Sequence, residues 1–242
     1  RTTKTNYKQY MKLIVSSAII AIGIVILGFA LKGGIDRFAD KDRVVTVRGL
    51  CEKEVNANKV TWPIVTKEMG NDLSAIYNKI QANNQTILSF LKSNGIEDSE
   101  ISVNPPAVTD KMADAYNTNG IQYRYQVTNV VVVTSDKIEQ VRKLISKQTE
   151  LLRQNIAVVA GDWNYQTKYE FTGLNDIKPE MIAQATANAR EAADRFAADS
   201  HSKLGKIQTA SQGQFSIEDR DQYTPNIKTV RVVTYITYYL ED

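Results

Sequence analysis

The amino-acid sequence predicts an α+β fold. Antiparallel-rich sheets are packed by three helices in the approximate order ββαββαβαββ, preceded by one N-terminal transmembrane helix. Three observations predict it. Leu13 to Leu31 (LIVSSAIIAIGIVILGFAL) carries no charge. Beyond it, runs of β-branched and aromatic residues alternate with turn residues. Among these runs lie three long stretches whose apolar residues recur at helical spacing. Helices inserted singly between strands mark a mixed layer architecture.

The uncharged run comes first. Its nineteen residues, at about 1.5 Å rise each, extend roughly 28 Å as a helix, close to the hydrocarbon thickness of a bilayer. It is apolar on every face apart from Ser16 and Ser17, whose hydroxyls can bond back to helix carbonyls. A cleaved signal peptide has a shorter apolar region and a small-x-small cleavage site. Here Ala30-Leu31-Lys32-Gly33-Gly34 follows, a poor site. Arg1, Lys4, Lys8 and Lys12 precede the run with no anion among them. The positive-inside rule then keeps residues 1–12 in the cytoplasm and sends the body across. The expected organisation is a basic tail over 1–12, a lipid-embedded anchor from Leu13 to Leu31, a linker over 32–42 and an exported domain over 43–242.

Composition narrows the function classes. The net charge of +3 belongs to the tail: 30 basic residues less those four cations leave 26 against 27 acidic ones, a net of −1. The body has no Lys/Arg block interleaved with aromatics, so no nucleic-acid partner is expected. Cys51 is the only cysteine, which excludes an intrachain disulfide and leaves packing and assembly to supply stability. It reads as a half-buried strand residue.

The body's elements follow in order. Val44 to Gly49 is a strand, and Glu52 to Glu68 a second, with Pro63 marking an edge or bulge. A helix runs from about Asn71 to Ser93. Leu73, Ile76, Tyr77, Ile80, Ile87, Leu88 and Leu91 are its apolar stripe, Asn71 or Asp72 its N-cap and Asn94-Gly95 its stop. Ile96 to Val103 begins the next strand, which Pro105-Pro106 breaks. Residues 107–121 read as a hairpin excursion. Gln122 to Thr134 is a central strand. Ser135 or Asp136 caps a second helix bearing Ile138, Val141, Leu144, Ile145 and Leu152. Asn155 to Thr172 is a strand that Gly161-Asp162 interrupts. Pro179 starts the third helix and Gly205 ends it. Its small residues, Ala185, Ala189, Ala192, Ala193 and Ala197 around Phe196, permit a close approach. Lys206 to Ile217 and Lys228 to Leu240 are the last strands, joined by a charged loop with a Pro225 turn.

No catalytic, cofactor or metal site is expected. His201, the only histidine, lies near a polar helix end among Asp199, Ser200 and Ser202, which reads as solvated surface. One histidine and one cysteine cannot supply zinc spacing. Glu218, Asp219 and Asp221 lack the closing glutamate of a calcium loop and read as a charged turn. The unusual residue is tyrosine, twelve in all. Tyr123 and Tyr125 alternate on one strand, and Tyr235, Tyr238 and Tyr239 end the last. Tyrosine suits half-exposed interfaces. These five are the candidate oligomer interface, since an apolar strand over Val230 to Leu240, close to an edge, would need covering.

The Ala-rich helix (Ala185 to Ala193) followed by Leu204-Gly205-Lys206-Ile207 resembles the SIMPL-domain family of bacterial envelope proteins. So do Val45 to Gly49 (VTVRG), Leu91 to Ile96 (LKSNGI) with Asp98 to Ser102, Tyr123 to Thr134, and Tyr169-Glu170-Phe171, in that family's order. The chain departs from the pattern at Val55 to Lys59, where the family often has Pro-Asp, and at Gln148-Thr149-Glu150, where a glycine is common. The resemblance covers about 43–242. It implies an exported, oligomer-forming α+β domain with an envelope or stress-related role and no established catalytic motif. The expectation is therefore a non-enzymatic, single-pass protein of the inner membrane with a periplasmic body that self-assembles into a ring or cage. The alternative is a monomeric envelope module that binds a protein or small ligand.

Overall fold

The computed structural model describes Ser17, residues 20–32, Gly34, residues 43–114, Gly120 and residues 122–241. Arg1, Lys4, Lys8, Lys12 and Leu13 lie outside the described residues, as does the linker apart from Lys32 and Gly34. Residues 20–32 form a helix, α1, that includes an exposed Leu31. Among the described residues no helix is long and apolar enough to cross a membrane. The described part of α1 takes in only the later portion of the predicted anchor.

Chain contacts divide the molecule into two units. The first comprises Arg1–Cys51, Glu180–Phe215 and Val232–Asp242; the second comprises Glu52–Pro179 and Ser216–Arg231. The fold is mixed α+β with antiparallel sheets, as the sequence predicts.

β1 (Val44–Asn56) is one long strand, not two. Gly49 does not end it, because exposure alternates residue by residue along its whole length. The glycine is there because helix α6 (Leu174–Asp199) crosses it so closely that a Cβ would lie 1.8 Å from the Ala185 carbonyl oxygen. The turn falls instead at Ala57-Asn58, before β2 (Lys59–Gly70). The Asn58 side-chain oxygen accepts from the backbone N–H and the hydroxyl of Thr172.

The second unit holds a five-stranded sheet in the order β3-β5-β2-β6, with β4 also on β5. β5 (Tyr125–Ser135) runs antiparallel to β2 from Val60↔Ser135 to Gly70↔Tyr125, so it is central, as predicted. β3 (Ile101–Val103) and β4 (Ala107–Asp110) share its other flank. The predicted hairpin excursion therefore begins as a strand, followed by a single turn, α3 (Lys111–Asp114). β6 (Lys168–Glu170) meets β2 only over Lys59–Thr61, and Val158 bridges Thr66. Pro63 sits in the interval, where β2 needs no donor on that flank, and so marks an edge.

Helix α2 (Leu73–Ser93) starts on Asp72, whose carboxylate accepts from the Ser74 and Ala75 N–H groups. Gly95 ends it with φ +84°. The stripe is buried at Ile76, Ile80, Ile87 and Leu91, but Leu73 and Tyr77 are exposed and Phe90 takes part instead. The predicted second helix is two helices, α4 (Ile138–Lys147) and α5 (Thr149–Arg153), and the break at Gln148 buries Leu151 rather than Leu152. The predicted strand over 155–172 shrinks to β6. Gly161 (φ +80°) and the Asp162 cap of a 3₁₀ turn at Trp163–Tyr165 take the chain out of the sheet. One apolar cluster, with Trp62, Ile64, Phe90, Leu91, Val131 and Leu144 among its members, forms this unit's core.

Within that core lies a polar group. Asn129 Nδ2 donates to Asn84 Oδ1 at 2.7 Å and to Thr66 Oγ1 at 3.3 Å. Asn84 Nδ2 returns to Asn129 Oδ1 at 3.4 Å. All three are buried. A buried amide must be bonded or costs its desolvation, so this pair fixes how α2 sits on β5.

The third predicted helix, α6, differs at both ends. It begins at Leu174, with Pro179 inside it. It stops at Asp199, where His201 adopts φ +54°. The N–H groups of His201 and Ser202 bond back to Ala198 O and Ala197 O, the pairing of a Schellman cap. Gly205 lies beyond, in β7 (Lys203–Gln212), where Tyr239 O would be 3.0 Å from a Cβ. β7 breaks at Gly213, whose N–H bonds Val233 O, before β8 (Ser216–Asp219). β7 and β8 both pair with β9 (Ile227–Glu241), and β1 takes its other flank. β9 is thus the central strand. The sequence reading that placed it close to an edge is corrected: its partner β1 lies far away in the chain, where no local pattern shows it.

Candidate interaction surface of the first unit

This surface starts with spacing. Met181, Ala185, Ala189, Ala193 and Ala197 recur every four residues along α6 and are all buried. Small side chains let the helix lie almost on the strand backbone. Ala189 and Ala193 pack with Val47, Ile236 and Tyr238, the inner-face residues of β1 and β9. On the opposite face of the sheet, Thr46 and Thr237 join hydroxyls at 3.0 Å and the Arg48 guanidinium lies 5.2 Å from the centre of the Tyr235 ring.

The candidate tyrosines divide. Tyr238 is 4% exposed, inside the α6 core of its own chain. Tyr235 is exposed under Arg48, and Tyr239 is half-buried. Tyr123 and Tyr125 belong to the second unit. Tyr123 is exposed and precedes β5, whereas Tyr125 opens β5, packs against the Ile76, Ile80 and Val127 cluster and lies 4.9 Å from the Arg124 guanidinium.

What the sequence did not show is that, among the described residues, this sheet is open on both sides. Its order is β1-β9-β7. Among the described residues no strand pairs with the outer flank of β7, and Lys206 to Gln212 are all exposed. At the other edge, the Arg43 carbonyl accepts from Leu240, so odd-numbered residues of β1 turn their backbone groups towards β9. The even-numbered ones, Val44 to Leu50, turn theirs away. Asn188 Nδ2 donates to one of these, the Leu50 carbonyl, at 2.8 Å. On that side of α6 an open groove of about 480 Å³ is lined by Asn188, Glu191, Ala192, Arg195, Phe196 and Asp199. Glu191 and Arg195 form an ion pair one turn apart. Phe196 is 60% exposed. The signal in the sequence was a single large apolar residue among alanines.

The remaining polar clusters serve the local backbone. Asp219 pairs with Lys228. The Asp221 carboxylate is held at a pKa of about 2 by the Thr224 hydroxyl, with the Tyr223 and Thr224 N–H groups and Arg220 adding to it. Burial pushes Glu100 up, but the Glu97 N–H, the Ser135 hydroxyl and Lys137 outweigh it and leave the carboxyl below its ordinary value. A two-toothed Arg124 contact lowers Asp110. The Asn164 N–H, then Lys67, lowers Asp162. His201 is exposed in the α6 cap, and Cys51 is half-buried in β1. Among the described residues no three His, Cys, Asp or Glu side chains gather as a metal site.

Two α+β units with antiparallel sheets define the class of this protein. The chain belongs to the SIMPL family, described as a protein of unknown function (DUF541), whose model matches residues 45–235. No curated protein matches the chain.

Proposed function

We propose that this is a non-enzymatic envelope protein, tethered to the inner membrane through Leu13 to Leu31. Its periplasmic body self-assembles into a ring- or cage-like homo-oligomer, in a setting of envelope stress. The observation that carries the reading is the bare β7 edge. Native sheets blunt an exposed edge with charge, proline, a bulge or a covering element. β7 has Lys203, Lys206 and two register shifts in its first half, but residues 209–212 (TASQ) pair with β9 in regular register, have neither charge nor proline, and stay exposed. Adding a strand from another copy supplies its missing partner. A membrane tether raises the effective concentration of copies and favours that step. The uncharged run and its preceding cations support the tether, and the family resemblance supports the compartment.

The test is the particle mass of the full-length, detergent-extracted protein by mass photometry. A discrete large assembly is expected. A monomer at working concentration would sink the reading and favour the alternative, a monomeric module whose α6 groove receives a segment of an envelope partner.

A further inference from the structure

We infer that β7 of one copy adds to β1 of the next, in parallel, beneath the groove of α6. This rests on the self-assembly proposed above and names the two surfaces that meet. Every residue of the junction belongs to the first unit.

The direction follows from the topology. β7 is antiparallel to β9. So is β1, since Leu240 bonds Arg43 at one end while Asn226 meets Ala57 at the other. β1 and β7 therefore point the same way. Copies related by rotation about an axis along the strands keep that direction. A head-to-tail contact between unlike edges closes a ring when the rotation closes, and its strands meet in parallel.

The groove follows the same path. α6 runs opposite to β1: Asn188 holds the Leu50 carbonyl at one end, and Arg43 Nη2 donates to Ser202 Oγ at 3.1 Å at the other. Asp199 therefore marks the end of the groove where β1 begins, and a parallel β7 enters there.

Apolar surface matches as well. Register places Ile207 beside Tyr238 and Ala210 beside Ile236, on the face that carries α6. Ile207 is nevertheless 51% exposed. In the junction it comes under the next copy's α6, against exposed Phe196. The backbone groups of Val44, Thr46 and Arg48 accept the incoming strand. The Leu50 carbonyl, already taken by Asn188, sets its limit.

The experiment uses full-length protein in detergent with Cys51→Ala. Two versions, one carrying Phe196→Cys and the other Ile207→Cys, are given different tags, co-expressed and oxidised. Both positions are exposed, so neither change disturbs a core. A disulfide between the two versions is expected, and none when either is expressed alone. Two further outcomes overturn the junction while leaving self-assembly standing. One is an intact assembly without that cross-link. The other is an Ile207→Cys version that cross-links to itself. A monomer overturns both readings.

Discussion

The second unit is filled with large side chains, and the first is filled with alanine. Trp62, Ile64, Phe90, Leu91 and Leu144 close the second unit's core, and its central strand β5 finds β2 on one flank and β3 and β4 on the other. In the first unit the helix contributes Ala189 and Ala193 to the core, against Val47, Ile236 and Tyr238, and among the described residues no strand pairs with the outer flank of β1 or β7. Burying an apolar side chain is worth about 25 cal/mol per Å², so an alanine seam gains little from area. It gains from closeness, because dispersion falls away steeply with separation. The second unit, stabilised by volume, is expected to tolerate repacking. The first, stabilised by fit, is expected to tolerate almost none.

The sharpest way to break this contrast is to add one carbon to the first unit. Gly49→Ala places a Cβ 1.8 Å from the Ala185 carbonyl oxygen and 2.6 Å from the Ala189 nitrogen. Both are backbone atoms that cannot swing away. The expected loss is about 3 kcal/mol, the upper range of overpacking, read from urea midpoints. A loss under about 1 kcal/mol would mean that α6 yields easily and that fit is not what holds this unit.

A smaller effect is expected from the polar group in the second unit. Asn129→Ala leaves the Asn84 amide buried without its partner and should cost about 2 kcal/mol. Replacing both residues, Asn84→Leu with Asn129→Val, should recover part of that loss, because the Asn84 amide left unsatisfied by Asn129→Ala becomes apolar volume. If the double variant is no better than Asn129→Ala, the unit does not tolerate repacking and the contrast weakens.

The smallest effect belongs to the Asp221 loop. Its carboxyl titrates at about 2, below the ordinary 3.8. A depressed folded-state pKa means that the stabilisation is fully present above about 4 and is lost as pH falls towards 2. The melting-temperature gap between the wild type and Asp221→Ala should therefore be constant above pH 4 and close between pH 4 and 2. A gap that persists unchanged at pH 2 would assign the loop's stability to something other than the charged carboxylate.

Local chemistry was legible in the sequence where it was complete. The Asp72 cap, the Asn94-Gly95 stop and the apolar stripe place α2 within two residues of its observed start. Pro63 gives the bare interval of β2 correctly. Errors arise where a residue has two uses. Pro179 reads as a helix start but sits inside α6. Gly205 reads as a stop, yet the left-handed cap is His201 and the glycine makes room for the Tyr239 carbonyl. Gly49 reads as a strand end but is a crossing point. Distant partners account for the rest. Neither the Asn84–Asn129 pair nor the central position of β9 has a local signature, and the groove depends on which side of α6 faces β1.

The pairing of β1 with β9 also has a consequence in time. Thr46 and Thr237 touch across 191 positions of sequence. Ribosomes add about 5–20 residues per second, so β1 waits on the order of ten seconds or longer for its partner to exist. The elements between them can already collapse, since their contacts are nearer in sequence. The strand written first is completed last. Until then, this valine-rich segment has an open ladder on both sides, in a chain that must also cross a membrane under the proposal above. Its safe passage depends on whatever keeps a nascent β-strand from finding the wrong neighbour.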